Sequence, residues 1–337
     1  MSSPDLATAS PAAGDAERRV QVARCRAVAA GVVEVTFTRL SPAEEPLAAW
    51  APGAHLDVVL PSGRVRQYSL CGPAENPGEY VIAVLREPAG RGGSVEVHDL
   101  LVAGEVVTIR GPRNHFRLDH AQHYLFLAGG IGITPILAMA REPARAGTPW
   151  TLVYGGRTRS SMAYADELTE LAELSHGNVR LVPQDEDGHP DFAAALTDLP
   201  AGTAVYACGP EAMLQAVEAL SHEMLPPGAL HLERFAAKPQ PSDAPAVSDT
   251  AFDVELARSG RILTVPADRR LIDVVREVVP DVSYACEEGY CGSCETRVLA
   301  GVPDHRDQVL TADEREGNTR MMICVGRCLS PTLTLDL

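Results

Sequence analysis

The run "SYACEEGYCGSCETRVLAG", Ser283 to Gly301, sets three cysteines in the order C-x4-C-x2-C within a loop otherwise built from Glu, Gly, Tyr and Ser. Iron-sulfur ligands follow this spacing when one more cysteine stands further on. Cys324 in "MMICVGRC" supplies it. Four thiolates on two irons oblige a chain to wrap a compact inorganic core, so Cys286, Cys291, Cys294 and Cys324 constrain this region more than a hydrophobic pattern would. Gly289 and Gly292 suit the wrapping, because glycine takes backbone angles closed to other residues and lets N–H groups face sulfur. Two other readings compete. A disulfide framework is disfavoured because nothing else in the chain marks export. A structural zinc site is disfavoured because its thiolates more often come as two C-x2-4-C pairs. Cys25 and Cys328 read as packed or surface residues.

The chain has 337 residues, more than one hydrophobic core usually fills. Its rhythm changes twice. Residues 18–113 carry β-rich runs such as "GVVEVTFTRL", "HLDVVLPSG", "RQYSL" and "EYVIAVLRE" between turn residues, the pattern of a small antiparallel barrel. Residues 118–235 alternate short apolar strands ("YLFLA", "WTLVYGG", "VRLVPQ", "AVYACGP") with helical stretches such as "MAYADELTELAEL", the mark of a parallel doubly wound sheet. Residues 236–250, rich in Pro, Ala and Ser, read as a linker, and 1–17 as a disordered start. Residues 251–337 hold a hairpin, then a helix "RRLIDVVREVV" with Asp268 as its candidate cap, then the cysteine loop, then "MMICVGRC" and "LTLDL" as strands.

Two glycine loops in the middle segment point to a dinucleotide. "AGGIGITP" follows a strand and opens a helix, where backbone N–H groups and the helix dipole can hold a pyrophosphate; Gly129, Gly130, Gly132 and Thr134 are its candidates. "YACGPEAM" repeats the device with Cys208, Gly209 and Pro210. Both strand ends belong at the carboxyl edge of one sheet, where open α/β sheets bind ligands. After "WTLVYGG" no acidic residue awaits a ribose hydroxyl, while Arg157 and Arg159 could take the extra phosphate of NADPH. In the first segment, "RQYSL" offers Arg66 as a phosphate clamp, Tyr68 as a ring to lie against a flavin and Ser69 as a hydrogen-bond donor. "GRGGS" offers Gly92, Gly93 and Ser94 as a phosphate cradle.

A net charge of -16 excludes a nucleic-acid surface, which relies on clustered Lys and Arg. The uncharged run from Tyr124 to Ala140 is broken by three glycines and a Thr-Pro, so a strand, a turn and a helix are expected rather than a membrane span. The start has no basic, apolar leader, so a cytoplasmic protein is expected.

Taken together, "RQYSL", "GRGGS", "AGGIGITP", "YACGP" and "ACEEGYCGSC" resemble the phthalate dioxygenase reductase family, with vanillate demethylase reductase close by. The resemblance runs from about Val20 to the end, and its last 85 or so residues look like a plant-type ferredoxin. It implies a flavin barrel, a nicotinamide domain and a β-grasp [2Fe-2S] ferredoxin domain in that order, with FMN as the flavin and NADH favoured over NADPH. It also implies that Phe235 in "HLERFAAKP" lies near the flavin where nicotinamide enters. Such a chain, expected as a monomer, would pass electrons from NAD(P)H through FMN and the cluster to a terminal oxygenase, a Rieske-type aromatic hydroxylase or demethylase. A cysteine-ligated haem monooxygenase is the alternative acceptor. A regulatory redox sensor is the alternative class.

Overall fold

The computed structural model describes residues 17–76, 78–235 and 249–337; the start before residue 17 and the greater part of the 236–250 linker lie outside them. Three large sheets follow one another along the chain, with a two-stranded ribbon beside the third. The first has six antiparallel strands in the spatial order Val65–Ser69, Ala54–Val59, Val106–Asn114, Glu17–Ala29, Val32–Thr38, Glu79–Leu85. Its two outer strands meet again at a bridge between Leu70 and Ile82. Val20, Phe37, Leu56, Leu70, Ile82 and Ile109 fill its interior. One element escaped the sequence reading: "GSVEVHDL" forms a helix, Gly93–Leu100, entered through Gly92 at φ 80, a left-handed conformation that favours glycine.

The second sheet is parallel throughout, in the order Leu230–Glu233, Thr203–Cys208, His123–Gly129, Trp150–Gly156, Gly177–Pro183. Along His123–Gly129, Phe126 and Ala128 bury into one layer and Leu125 and Leu127 into the other, which is why that strand reads as a continuous apolar run. The fifth strand, Leu230–Glu233, was not anticipated. The run from Tyr124 divides into the strand, a single turn Gly130–Gly132 and the helix Ile133–Ala146. Among the described residues no helix is long and apolar enough to cross a membrane.

The first two sheets share a core. Val32, Cys71, Val81 and Ala83 pack into the same apolar cluster as Phe126, Ile136 and Tyr154. A polar tie runs through it: Tyr164, held at φ 61, donates its hydroxyl to Glu34 at 3.0 Å and meets Cys71 Sγ at 3.5 Å. Arg26 forks onto the same buried Glu34 at 2.6 and 2.8 Å. A hydrogen bond to a charged group contributes about 1.5–3 kcal/mol, and in this tie it is the Tyr164 hydroxyl that crosses from the second unit to the first.

The third sheet has the order Arg261–Val265, Phe252–Leu256, Thr332–Leu335, Glu295–Ala300, Arg320–Met322, with one parallel pairing, Phe252–Leu256 on Thr332–Leu335. Two local expectations fail here. The helix is only Leu271–Arg276, and its N-cap is Arg270 rather than Asp268, without a side-chain cap. "MMICVGRC" is not one strand: Arg320–Met322 ends, the chain turns through Cys324, and Arg327–Cys328 pairs elsewhere with Pro303–Asp304. The turn is what carries Cys324 back to the cysteine loop.

Candidate functional site

One cleft of about 1210 Å³ is lined from all three units. On the first sheet, Arg66, Tyr68 and Ser69 line it from one strand, together with Gln67, and Gly93 and Ser94 line it from the start of the helix beyond. The guanidinium of Arg66 has only carbonyl acceptors, Val65 at 2.8 Å and Arg91 at 3.4 Å, and no carboxylate partner among the described residues. A Cβ on Gly93 would sit 2.6 Å from Arg66 Nε. An uncompensated cation pressed beneath a helix N-terminus, with a glycine keeping the approach clear, is a donor set that fits a phosphate. Gly92 shapes the turn without lining the cleft.

The two glycine loops meet face to face at the carboxyl edge of the parallel sheet. A Cβ on Gly132 would lie 2.3 Å from the Cys208 carbonyl oxygen, and one on Gly209 would lie 3.0 Å from the Gly129 backbone. Their glycines therefore serve close packing as well as an open backbone. Gly129, Gly130, Gly132, Thr134, Gly209 and Pro210 all line the cleft. Cys208 does not: it is wholly buried beneath the loop, and burial pushes its thiol pKa up, so it contributes packing and a backbone carbonyl. Gly132→Ala is expected to force the loops apart, cost about 1–3 kcal/mol and raise the KM for nicotinamide. Thermal melting and steady-state kinetics would check it, and an unchanged KM would deny the loop a binding role.

Arg157 lines the cleft near Gln184 and His189. Arg159 does not; it is exposed, 3.9 Å from Asp166. Phe235 lines the cleft from the end of the last parallel strand and remains 39% exposed. Two residues before it stands a group the sequence reading missed, Glu233, whose Oε2 lies 3.4 Å from Ser69 Oγ. Burial raises its pKa to about 8, against a smaller lowering by Ser69. The available hint was its position, a carboxylate at the carboxyl end of a parallel strand.

Cys286, Cys291, Cys294 and Cys324 are all buried and converge. Cys286 accepts hydrogen bonds from the thiols of Cys291 and Cys324 and from the Glu288 backbone N–H at 3.3 Å, which together hold its pKa down to about 2. Cys324 also contacts Cys294. The quartet is thus two pairs, 286 with 291 and 294 with 324, joined at one corner. That suits two irons better than one, and no group of three or more ligating residues is arranged for a single ion among the described residues. Gly289 and Gly292 sit at φ 74 and 78, the left-handed turns that the wrapping needs. Cys286 and Cys291 pack against Val65 of the first sheet, and both line the cleft, so the thiols stand at the far end of the space that Ser69 and Glu233 border.

Fold and site define an oxidoreductase built to join a nicotinamide to an iron-sulfur centre. The profile of the oxidoreductase NAD-binding domain matches residues 126–219, and that of the 2Fe-2S iron-sulfur cluster binding domain matches 254–328. The chain is 43% identical to the phenoxybenzoate dioxygenase subunit beta of Ectopseudomonas oleovorans, covering 93% of this chain and 96% of that one. It is 38% identical to the phthalate dioxygenase reductase of Burkholderia cepacia, covering 90% and 92%. Among solved structures, an intact type IV self-sufficient cytochrome P450 monooxygenase superposes with a TM-score of 0.84 at 39% identity, over 95% of this chain and 41% of that longer one. The chain belongs to the phthalate dioxygenase reductase family, whose cofactors are FMN, NADH and a [2Fe-2S] cluster.

Proposed function

We propose that this protein is the NAD(P)H-dependent reductase component of an oxygenase system and delivers electrons singly to a terminal oxygenase, a Rieske-type aromatic hydroxylase or demethylase. One observation carries the reading: a single cleft is walled by the phosphate-clamping strand, both glycine loops and two of the four thiols. A flavin accepts the two electrons of a hydride and releases them one at a time, the chemistry that links a nicotinamide to a one-electron cluster. The chain's own groups then divide the work. Arg66, Gly93 and Ser94 bind the FMN phosphate, with Gly92 turning the chain into the helix that carries them, Tyr68 lies along the ring and Ser69 donates to it. Gly129, Gly130, Gly132, Thr134, Gly209 and Pro210 bind the dinucleotide, with Cys208 supporting them from below. Phe235 screens the place where nicotinamide enters. Cys286, Cys291, Cys294 and Cys324 hold the cluster. Ser69 Oγ donates to Glu233 Oε2 at 3.4 Å in this structure and would turn that hydrogen to the ring with the flavin bound, leaving Glu233, protonated at neutral pH, beside it as a proton source. Arg157 faces the cleft and leaves NADPH open as donor, whereas Arg159 turns away, which favours NADH.

In this reading residues 18–113 are the flavin barrel, 118–235 the nicotinamide domain and 251–337 a β-grasp ferredoxin domain, in a cytoplasmic monomer. The likeness to a P450 fusion protein supports a second acceptor, a haem-thiolate monooxygenase. The test is anaerobic titration with NADH and, separately, NADPH, following flavin absorbance and the paramagnetic signal of the reduced cluster. Bleaching followed by a one-electron cluster signal is expected, fastest with NADH. Bleaching with no cluster signal would break the chain of carriers.

A further inference from the structure

The cysteine loop is tied to the first sheet by a buried polar network. Asp57, wholly buried on the strand Ala54–Val59, is ion-paired with Arg113 on the strand Val106–Asn114. Arg113 Nη2 also donates to Ser293 Oγ at 3.1 Å. Gln67 Nε2, on the strand Val65–Ser69, donates to the same oxygen at 2.6 Å and lies 3.2 Å from His55 Nε2. Two strands of one unit thus donate to a single hydroxyl, each backed by the strand between them, and that hydroxyl stands between Cys291 and Cys294 of another.

The chemistry of each member fits a positioning device. Burial, with Arg113 and His115 nearby, pushes the His55 pKa down to about 3, so its ring is neutral and Nε2 can accept one amide hydrogen of Gln67 while the other goes to Ser293. A buried ion pair is costly to desolvate and is a poor source of stability, but it fixes geometry. The loop backbone presses on the same spot, since a Cβ on Gly292 would be 3.2 Å from His115 Nε2. A second tether, Arg91 to the Cys286 carbonyl at 2.9 Å and to Glu288 at 3.1 Å, is part-exposed and open to screening by salt; the Ser293 tether is not.

We propose that Arg113 and Gln67 are positioning residues that hold Ser293, and with it the cysteine loop, against the flavin side of the cleft, and so set the rate at which electrons pass from flavin to cluster. The proposal rests on the electron path given above. Neither residue takes part in the hydride step.

The test uses the full chain with its cofactors, as Ser293→Ala and as Arg113→Lys, which keeps a cation beside Asp57 but, one bond shorter, ends short of the place from which Nη2 meets both Asp57 and Ser293. Stopped-flow mixing with NADH would follow flavin bleaching and cluster reduction separately. Expected are bleaching within about twofold of the parent, and cluster reduction slowed about tenfold in Ser293→Ala, less in Arg113→Lys, which keeps the Gln67 bond, and no further in the double variant than in Ser293→Ala, because the serine hydroxyl carries both bonds. Iron content and the dithionite-reduced paramagnetic signal should match the parent. Cluster reduction as fast as in the parent would overturn the proposal. Lost iron or an altered signal would also overturn it, by assigning Ser293 to the cluster's own fold. Failure of the parent itself to reduce its cluster would instead bring down the electron path, and the proposal with it.

Discussion

Cys291→Ser is expected to leave flavin reduction by NAD(P)H intact while abolishing delivery to the oxygenase. Cys291 is buried at 7% exposure, contacts Cys286, and belongs to a loop whose other side chains are Glu, Tyr and Ser. A serine oxygen is a harder donor and binds iron far less well than thiolate, so the cluster should be lost or labile. Because cluster binding and folding of its loop are linked, the third unit should also melt earlier, while the first two, joined through Glu34 and Tyr164, keep their transition. Three measurements separate the parts: iron and sulfide content, ferricyanide reduction as a readout of the flavin alone, and reduction of an acceptor that needs the cluster. Acceptor reduction surviving in a variant without iron would mean that electrons leave from the flavin directly, and the role given to the four cysteines would be wrong.

What could be read in the sequence was local. The cysteine spacing and the two glycine loops are short-range patterns fixed by ligand geometry and by close packing, as the 2.3 Å approach at Gly132 illustrates. The features that were missed arise from long-range packing or from conflicting local preference. "GSVEVHDL" alternates Val with polar residues like a strand, yet folds as a helix because Gly92 turns the chain and Val97 is buried in the interior of the first sheet. Leu230–Glu233 is only four residues long and no position in it is fully buried, so it lacks an apolar run. The third-unit helix begins after Arg270 rather than at Asp268, and Arg270 there pairs with Asp273 and Glu287, a contact no local cap pattern encodes. Glu233 and Ser69 are separated by 164 positions, and Gln67 and Ser293 by 226. Neither pair has any sequence pattern to announce it.

Glu233→Gln should remove both a stability penalty and a proton source. With its pKa raised to about 8, Glu233 in the folded protein keeps a proton that the unfolded chain, titrating near 4.5, has already lost. Between those two values the folded state therefore binds more protons, so stability falls as pH rises through this window and levels off above about pH 8. The carboxyl lines the cleft and keeps some solvent contact, which reduces the effect to about 3 kcal/mol from the larger figure that the shift alone would give. Glutamine has the same shape and no charge to bury, so the variant should match its parent near pH 5 and melt about 6–12 °C higher near pH 9. Turnover should move the opposite way. A positioned acid contributes about 10²–10⁴-fold, so loss of the carboxyl proton should lower kcat at pH 7 by at least about a hundredfold. In the parent, turnover should decline as pH passes 8 and the carboxyl ionises; the variant should lack that limb. Ser69→Ala should reproduce the kinetic defect in milder form, because water can stand in for a hydroxyl, and should leave the stability difference in place. Melting curves across pH 5–9 and a kcat profile over the same range decide the matter. A descending limb near pH 8 that persists in Glu233→Gln would assign the ionisation to another group and leave Glu233 a buried carboxyl without a part in turnover.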